Sequence, residues 1–229
     1  MRNKSFVKNK IIGSSIVCVI VLAMMGVSAC VSLERPSLDR KYFALDVKRD
    51  KSGGSSVKSK NNLVVRRVKV SPRYEERDLV YKVAENTFES DYYNSFFIPP
   101  ASLLTQELRL WMGDSTMFAN VLAPSSMGTG DLLLEGVVNS IYGDYTGSKP
   151  VAVVNMQFFL LDNSNPDLPI IYSRNFEKNI PMKGSSPDAL IQAMNKGVKE
   201  IFTELESDLA TVVQKSVYKK ELSPVSQEK

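Results

Sequence analysis

Four short segments in the first half of the chain are rich in aromatic and β-branched side chains, and the first of them also alternates apolar with polar residues. These are "KYFALDV" (41–47), "LVVRRVKV" (63–70), "DLVYKV" (78–83) and "SDYYNSFF" (90–97). Such segments are typical of β-strands. The polar stretch "KRDKSGGSSVKSKNN" predicts a loop after the first strand, and Glu85-Asn86 predicts a turn between the last two.

The pattern changes to helical spacing after Pro99-Pro100. The segment "ASLLTQELRLWM" repeats apolar residues every three or four positions, and Gly113 marks its end. The next segment, "MFANVLA", predicts a strand that runs parallel to an earlier one across this helix, as in a βαβ unit.

Three longer segments predict a meander of strands: "DLLLEGVVNSIYGDY", "PVAVVNMQFFLLD" and "PIIYSRNFEKNIPM". A second helix then extends to residue 214, with Ser186 as its N-cap and Pro187 as its first residue. Its apolar stripe comprises Leu190, Met194, Val198, Ile201, Phe202, Leu205, Leu209 and Val212. We therefore predict an α/β fold in which a mixed sheet of about six to eight strands packs with two main helices in two to three layers.

The N-terminal segment combines four basic residues with an uncharged run from Ile11 to Ser32. Its densest apolar part, residues 16–25, has the length of a signal-peptide core. The whole run could also span a bilayer, so a transmembrane anchor is the alternative. Its last residues, "GVSAC" (26–30), resemble the lipobox of bacterial lipoproteins, with Val27 where leucine is usual. We predict a signal peptide over residues 1–29 and lipidation of Cys30.

The lipobox resemblance implies an N-acyl group such as palmitate and an S-diacylglycerol group on Cys30, and we expect no other cofactor. Val31 and Ser32 follow the cysteine, without the aspartate that retains lipoproteins in the inner membrane in enteric-type sorting. This implies the periplasmic face of the outer membrane. We assign residues 30–40 to the lipidated cysteine and a tether, 41–217 to one α/β domain, and 218–229 to a disordered tail. The tether reaches at most about 35 Å.

Composition narrows the classes of function. Four of the 29 basic residues precede the apolar run, so the remaining 25 balance the 25 acidic residues, and we expect no nucleic-acid partner. The chain has no histidine, and cleavage before Cys30 would separate it from Cys18. These features remove the usual catalytic base, and we expect no catalytic residue and no metal site. The loop "SSMGTGD" lacks the lysine of a P-loop.

Three segments of the predicted domain resemble the auxiliary lipoproteins of ABC-type transport systems: "RKYFAL", "LVVRRVKVSPRYEERDLVYK" and "SSPDALIQAMNKGVKEIFTEL". The specific resemblance is to the paraquat-inducible lipoprotein type, the outer-membrane partner of MCE-domain proteins. The positions that carry this resemblance are Arg40, Tyr42, Leu45, Pro72, Tyr74, Arg77 and Tyr81. "NSFFIPP" stands where the family commonly has an Arg-Trp-Ala-Glu-Pro run.

The resemblance implies a compact α/β domain and a non-enzymatic role in moving phospholipids or small hydrophobic molecules between the inner and outer membranes. The expected partners are an MCE-domain protein or its permease complex, with further copies of the chain in a ring. An alternative of another class is an outer-membrane lipoprotein that regulates a peptidoglycan synthase. A hydrolase is disfavoured because histidine is absent.

One aromatic segment is a candidate contact surface for a partner or lipid. Tyr92, Tyr93, Phe96 and Phe97 lie close together in the last predicted strand before the first helix. Aromatic side chains often anchor interfaces. The competing interpretation, which we favour from the sequence, is that these side chains fill the core.

Overall fold

The computed structural model describes residues 39–50, 55 and 57–221. The predicted signal peptide, Cys30, the first part of the predicted tether and residues 222–229 lie outside the described residues. The domain boundaries at 29/30 and 40/41 therefore stay predictions.

The described residues form nine strands and two long helices. The strands are β1 (Lys41–Phe43), β2 (Asn62–Val65), β3 (Lys69–Val70), β4 (Asp78–Ala84), β5 (Thr87–Phe96), β6 (Asn120–Leu122), β7 (Leu132–Asp144), β8 (Val151–Asp162) and β9 (Ile170–Pro181). The helices are α1 (Pro100–Asp114) and α2 (Pro187–Glu221), and a short 3-10 turn spans Pro72–Tyr74. The predicted α/β class is confirmed, with nine strands instead of six to eight.

Strand β7 is the centre of one mixed sheet. One of its edges pairs antiparallel with β8, which pairs antiparallel with β9, so the predicted meander is confirmed. Its other edge pairs parallel with β2, β3 and β4 in succession. Beyond them, β6 lies parallel to β2, while β5 and then β1 extend the sheet from β4. Strand β6 follows α1 and lies parallel to β2, which confirms the predicted parallel strand, although β3, β4 and β5 intervene between β2 and α1 and the step is not a direct βαβ unit.

The segment predicted as one strand over residues 63–70 is two strands, so that prediction was wrong. The backbone N–H of Val68 donates a 2.9 Å hydrogen bond to Thr105 Oγ1 on α1, not to a neighbouring strand. The first predicted strand also ends early, at Phe43. Val47 N–H donates to Glu107 Oε2 on α1 at 2.9 Å, so the chain leaves the sheet to follow the helix. In both places a backbone N–H group donates its hydrogen bond to a side chain of α1 and not to a neighbouring strand.

Both helices pack into one core with the sheet. The Trp111 ring of α1 lies 5.7 Å from the Phe202 ring of α2, and Phe202 lies 6.3 Å from Phe158 of β8, measured between centroids. Every residue of the predicted α2 stripe from Leu190 to Leu209 is fully buried, whereas at its end Val213 is buried and Val212 only partly so. The arrangement is a sheet layer under a helix layer.

Helix α2 begins as predicted and ends later. Ser186 Oγ accepts a 3.2 Å hydrogen bond from Ala189 N–H, which is the N-cap contact. The helix continues to Glu221 instead of ending near residue 214, so residues 218–221 are helical where we predicted disorder. The chain has no glycine or proline between Gly197 and Pro224, and nothing in this stretch breaks a helix.

Candidate functional site: an aromatic edge of the sheet

The four aromatic residues singled out from the sequence divide into three exposed side chains and one buried one. Tyr92 is 63 % exposed, Tyr93 43 % and Phe97 65 %, whereas Phe96 is 2 % exposed and belongs to the core. Phe96 was therefore wrongly included as a contact residue, because its side chain is not accessible. The core interpretation is correct for Phe96 and wrong for the other three.

Strand pairing adds a fourth exposed aromatic residue. Successive side chains of a strand point to opposite faces, and residues paired across neighbouring strands share a face. Tyr42 of β1 lies opposite Ser95 in the parallel register, and its ring meets the Phe97 ring edge-on at 6.4 Å between centroids. Tyr42 is 49 % exposed. Sequence reasoning did not select it as a contact residue, although its place in the first predicted strand was visible.

A bulge in β5 brings Tyr92 beside Tyr93. Asp78 of β4 pairs with Ser95, but the next residue, Leu79, pairs with Asp91, so residues 92–94 have no partner in β4. Bulges bend a strand and redirect its side chains. Here the rings of Tyr92 and Tyr93 meet edge-on at 5.3 Å between centroids, although they are consecutive in the chain.

The carboxylate of Asp91 organises this bulge. Its Oδ1 accepts hydrogen bonds from the backbone N–H groups of Tyr93 (2.9 Å) and Asn94 (3.0 Å). Its Oδ2 accepts from the Tyr81 hydroxyl at 2.7 Å and from Asn94 Nδ2 at 2.8 Å. A carboxylate with this many donors satisfies the backbone that the strand pairing leaves free.

The same contacts shift two pKa values. Burial alone would raise the pKa of Asp91, but the hydrogen bonds from Tyr81, Asn94 and Tyr93 outweigh burial, and the pKa lies below its ordinary value. Burial, and then the bond to the Asp91 carboxylate, raise the pKa of Tyr81 well above its ordinary value. The pair is therefore a neutral phenol donating to a carboxylate over the physiological range.

Arg40, which directly precedes β1, holds Tyr92 in place through two contacts. Its Nε donates to the Tyr92 carbonyl oxygen at 2.9 Å, and its guanidinium carbon lies 4.1 Å from the centroid of the Tyr92 ring. This is a cation–π arrangement. We call the surface formed by Arg40, Tyr42, Tyr92, Tyr93 and Phe97 the aromatic edge.

A cleft of about 800 Å³ lies between α1 and the segment after β1. Four of the five charged side chains that line it have partners: Glu107 accepts from Val47 N–H, Lys48 pairs with Asp46 at 2.8 Å, and Arg49 pairs with Glu206. Burial raises the pKa of Glu107, although the Val47 hydrogen bond opposes the shift. These contacts hold the segment after β1 against the helices, and none of them indicates a ligand in the cleft.

The described part of the chain offers neither a metal-binding cluster nor a helix that could cross a membrane. Within residues 39–50, 55 and 57–221, no group of three or more His, Cys, Asp or Glu side chains is placed to hold a metal ion. Over the same residues, no helix has both the length and the apolar character needed to cross a bilayer. Cys30, the predicted lipidation site, lies outside these residues, and its modification stays a prediction.

Comparison with known proteins identifies the family. The model of the family described as "ABC-type transport auxiliary lipoprotein component" matches residues 43–206. The chain belongs to this family. Membership indicates an auxiliary role beside an ABC-type transporter and a membrane-anchored location outside the cytoplasm. The resemblance stated from the sequence is thereby confirmed at the level of the family.

Solved structures show the same fold. The crystal structure of XCC0632 from Xanthomonas campestris, a protein of the family DUF330, aligns with a TM-score of 0.67 at 19 % identity, over 78 % of this chain and 99 % of that one. The crystal structure of an uncharacterised protein aligns with a TM-score of 0.60 at 14 % identity, over 75 % of this chain and 99 % of that one. A comparison with curated proteins found no match.

Proposed function

We propose that the protein is anchored through lipid on Cys30 to the periplasmic face of the outer membrane, where it serves an ABC/MCE-type system that moves lipids between the two membranes. Its role is to dock the periplasm-spanning MCE-domain assembly or its permease complex. The observation that carries this proposal is the family match over residues 43–206, which includes β2 to β9, α1 and most of α2.

The length of the tether supports a docking role. Cys30 precedes β1 by about ten residues, which reach at most about 35 Å when fully extended. A folded domain on such a tether stays near its own membrane. Transport across the periplasm therefore requires a long partner, and this is the part that an MCE-domain protein would supply.

The chemistry of the described domain supports a non-enzymatic role. The chain has no histidine. Three carboxylates with shifted pKa values, Asp91, Glu107 and Asp144, accept hydrogen bonds from backbone N–H groups within the fold. Such contacts position loops and strands. We propose that the domain binds its partners, with further copies of the chain among them, and catalyses no reaction.

The anchor is tested by comparing two cysteine variants in the native host. Cys30→Ser is expected to lose labelling by radioactive palmitate and to keep its signal peptide, whereas Cys18→Ser, the matched control inside the apolar run, is expected to be labelled and processed as the wild type. Wild-type protein should fractionate with the outer membrane on a density gradient. Normal labelling and processing of Cys30→Ser would contradict the anchor.

The transport role is tested by deleting the gene. Deletion should sensitise cells to detergents and membrane-active compounds, and the wild-type gene should restore resistance while the Cys30→Ser gene should not. If the deletion strain were unaffected by these compounds, and the purified protein stimulated a peptidoglycan synthase, the regulator alternative would replace the transport proposal.

A further inference from the structure

We propose that the aromatic edge seats in the phospholipid head-group layer of the membrane that carries the lipid on Cys30, and so fixes the orientation of the domain. This inference rests on the proposed anchor. It goes further by assigning the exposed aromatic residues to the membrane surface and not to a protein partner.

The concentration of exposed aromatic side chains is the main observation. Among residues 39–50, 55 and 57–215, whose side chains are described, every exposed aromatic residue belongs to the aromatic edge: Tyr42, Tyr92, Tyr93 and Phe97. The other exposed large hydrophobic residues are aliphatic and lie on other elements, for example Leu110 on α1 and Ile170 on β9. Aromatic clusters of this kind are typical of interaction surfaces.

The position of the surface in the chain identifies the occupant. Arg40 precedes β1 directly, and β1 supplies Tyr42. The chain between Cys30 and Arg40 holds this end of the sheet within about 35 Å of the lipid attachment point. The surface next to the point where a short tether joins the domain is the part of the domain that contacts the membrane most often.

The residue types match the membrane interface. Tyrosine combines an apolar ring with a polar hydroxyl and is enriched where acyl chains meet head groups. The Phe97 ring supplies apolar area that can enter the acyl boundary. The Arg40 guanidinium uses Nε for the Tyr92 carbonyl, and its terminal NH₂ groups have the fork geometry that binds a phosphate.

The hydrogen bonding within the bulge allows its backbone to approach a region of low polarity. Unpaired backbone N–H groups are costly to move out of water. The Asp91 carboxylate already accepts from the N–H groups of Tyr93 and Asn94, so this part of the bulge carries no unmet donor into the interface. The same contacts hold the tyrosine rings in place before binding, which lowers the entropy cost of association.

Fluorescence quenching in vesicles tests the proposal. The full lipidated chain is reconstituted into vesicles of phosphatidylethanolamine and phosphatidylglycerol whose acyl chains carry bromine. Phe97→Trp places a reporter on the aromatic edge, and Ile170→Trp is the control because Ile170 is similarly exposed, at 59 %, and lies on the far edge strand β9. Trp111 is 3 % exposed and gives a constant background.

The expected result is a blue-shifted emission and severalfold greater quenching for Phe97→Trp than for Ile170→Trp. Adding Tyr92→Ser and Tyr93→Ser should reduce the quenching of the Phe97→Trp reporter, while adding Ile171→Ser should not. Equal quenching of the two reporters would overturn the proposal. A blue shift without quenching by bromine would also overturn it, because the aromatic edge would then be covered by protein.

Mass spectrometry of the reconstituted protein separates this test from that of the anchor. An unlipidated Cys30 contradicts the proposed anchor and the membrane contact that rests on it. A lipidated Cys30 with equal quenching of both reporters leaves the anchor standing and rejects only the membrane contact of the aromatic edge.

Discussion

Arg49 and Glu206 form a bidentate ion pair, although they lie 157 positions apart in the sequence. The Arg49 Nη2 atom lies 2.7 Å from Glu206 Oε1 and its Nε lies 2.9 Å from Oε2, with both side chains largely shielded from solvent. The Trp111 indole also donates to Oε2, at 2.8 Å. One carboxylate of α2 therefore holds both α1 and the segment that follows β1.

Glu206→Ala should lower the free energy of unfolding by about 2–4 kcal/mol, because it leaves a shielded guanidinium and an indole N–H without their acceptor. Glu200→Ala on the same helix is the control. Its contact with Lys196 is 3.9 Å long and exposed, so its loss should change stability by less than about 0.5 kcal/mol. Urea denaturation followed by circular dichroism measures both, and equal effects of the two variants would show that the ion pair is not a structural clamp.

Substitution by alanine should change the stability of the fold in opposite directions at Gly130 and at Gly113. A Cβ at Gly130 would lie 2.5 Å from Val64 Cγ2 and 3.2 Å from the Val64 backbone nitrogen, so Gly130→Ala should destabilise the fold by about 1–3 kcal/mol. A Cβ at Gly113, in the last turn of α1, would meet nothing within 4 Å. Gly113→Ala should therefore stabilise by up to about 1 kcal/mol. Thermal unfolding checks the signs, and a neutral Gly130→Ala would contradict the packing of β2 against residue 130.

Asp91→Asn should weaken the bulge and change the response to acid. Because the folded pKa of Asp91 lies below its ordinary value, its ionised form stabilises the fold above about pH 4, and this contribution is lost as pH falls through the folded pKa. We expect the variant to be less stable by about 1 kcal/mol at pH 7 and to lose less stability on acidification than the wild type. Urea midpoints at a series of pH values test this. Parallel pH profiles for the two proteins would contradict the role given to the carboxylate.

Thr105→Val should destabilise the fold by about 1–3 kcal/mol, because it removes the acceptor of the buried Val68 N–H. Thr211→Val on α2 is the control, since its hydroxyl bonds only to the Ser207 carbonyl at an exposed position. Chemical denaturation compares the two variants. If Thr105→Val were as stable as the wild type, Val68 N–H would have another partner and the interruption between β2 and β3 another cause.

The periodicities of apolar residues in the sequence were sufficient to predict the long strands and helices. The meander of β7 to β9, the start of α1 at Pro100 and the N-cap of α2 at Ser186 were all predicted, because each combines a sustained period with local signals at its end. The later end of α2 shows the limit of this reasoning. The segment 218–229 suggested a tail because it is mostly polar, but polarity alone does not stop a helix.

The short strands could not be predicted because tertiary contacts set their limits. Thr105 and Glu107 are 9 % and 8 % exposed and bind backbone from distant segments, yet on the sequence they are two polar positions of an amphipathic helix. The aromatic edge is similar. Alternation places the side chains of the consecutive residues Phe96 and Phe97 on opposite sides of the chain, but which side is buried depends on which one packs into the core, and tertiary contacts set this. The three exposed rings could therefore not be told from core residues.

Isolation of cross-linked partners tests the proposed docking of the protein to a transport assembly. The full lipidated chain is cross-linked in intact cells and purified from solubilised membranes, with the Cys30→Ser variant as the control for membrane placement, and the partners are identified by mass spectrometry. We expect cross-links to an MCE-domain protein or to the permease of an ABC-type transporter, and their loss in Cys30→Ser. Recovery of a peptidoglycan synthase, with neither transport component present, would contradict the proposed docking.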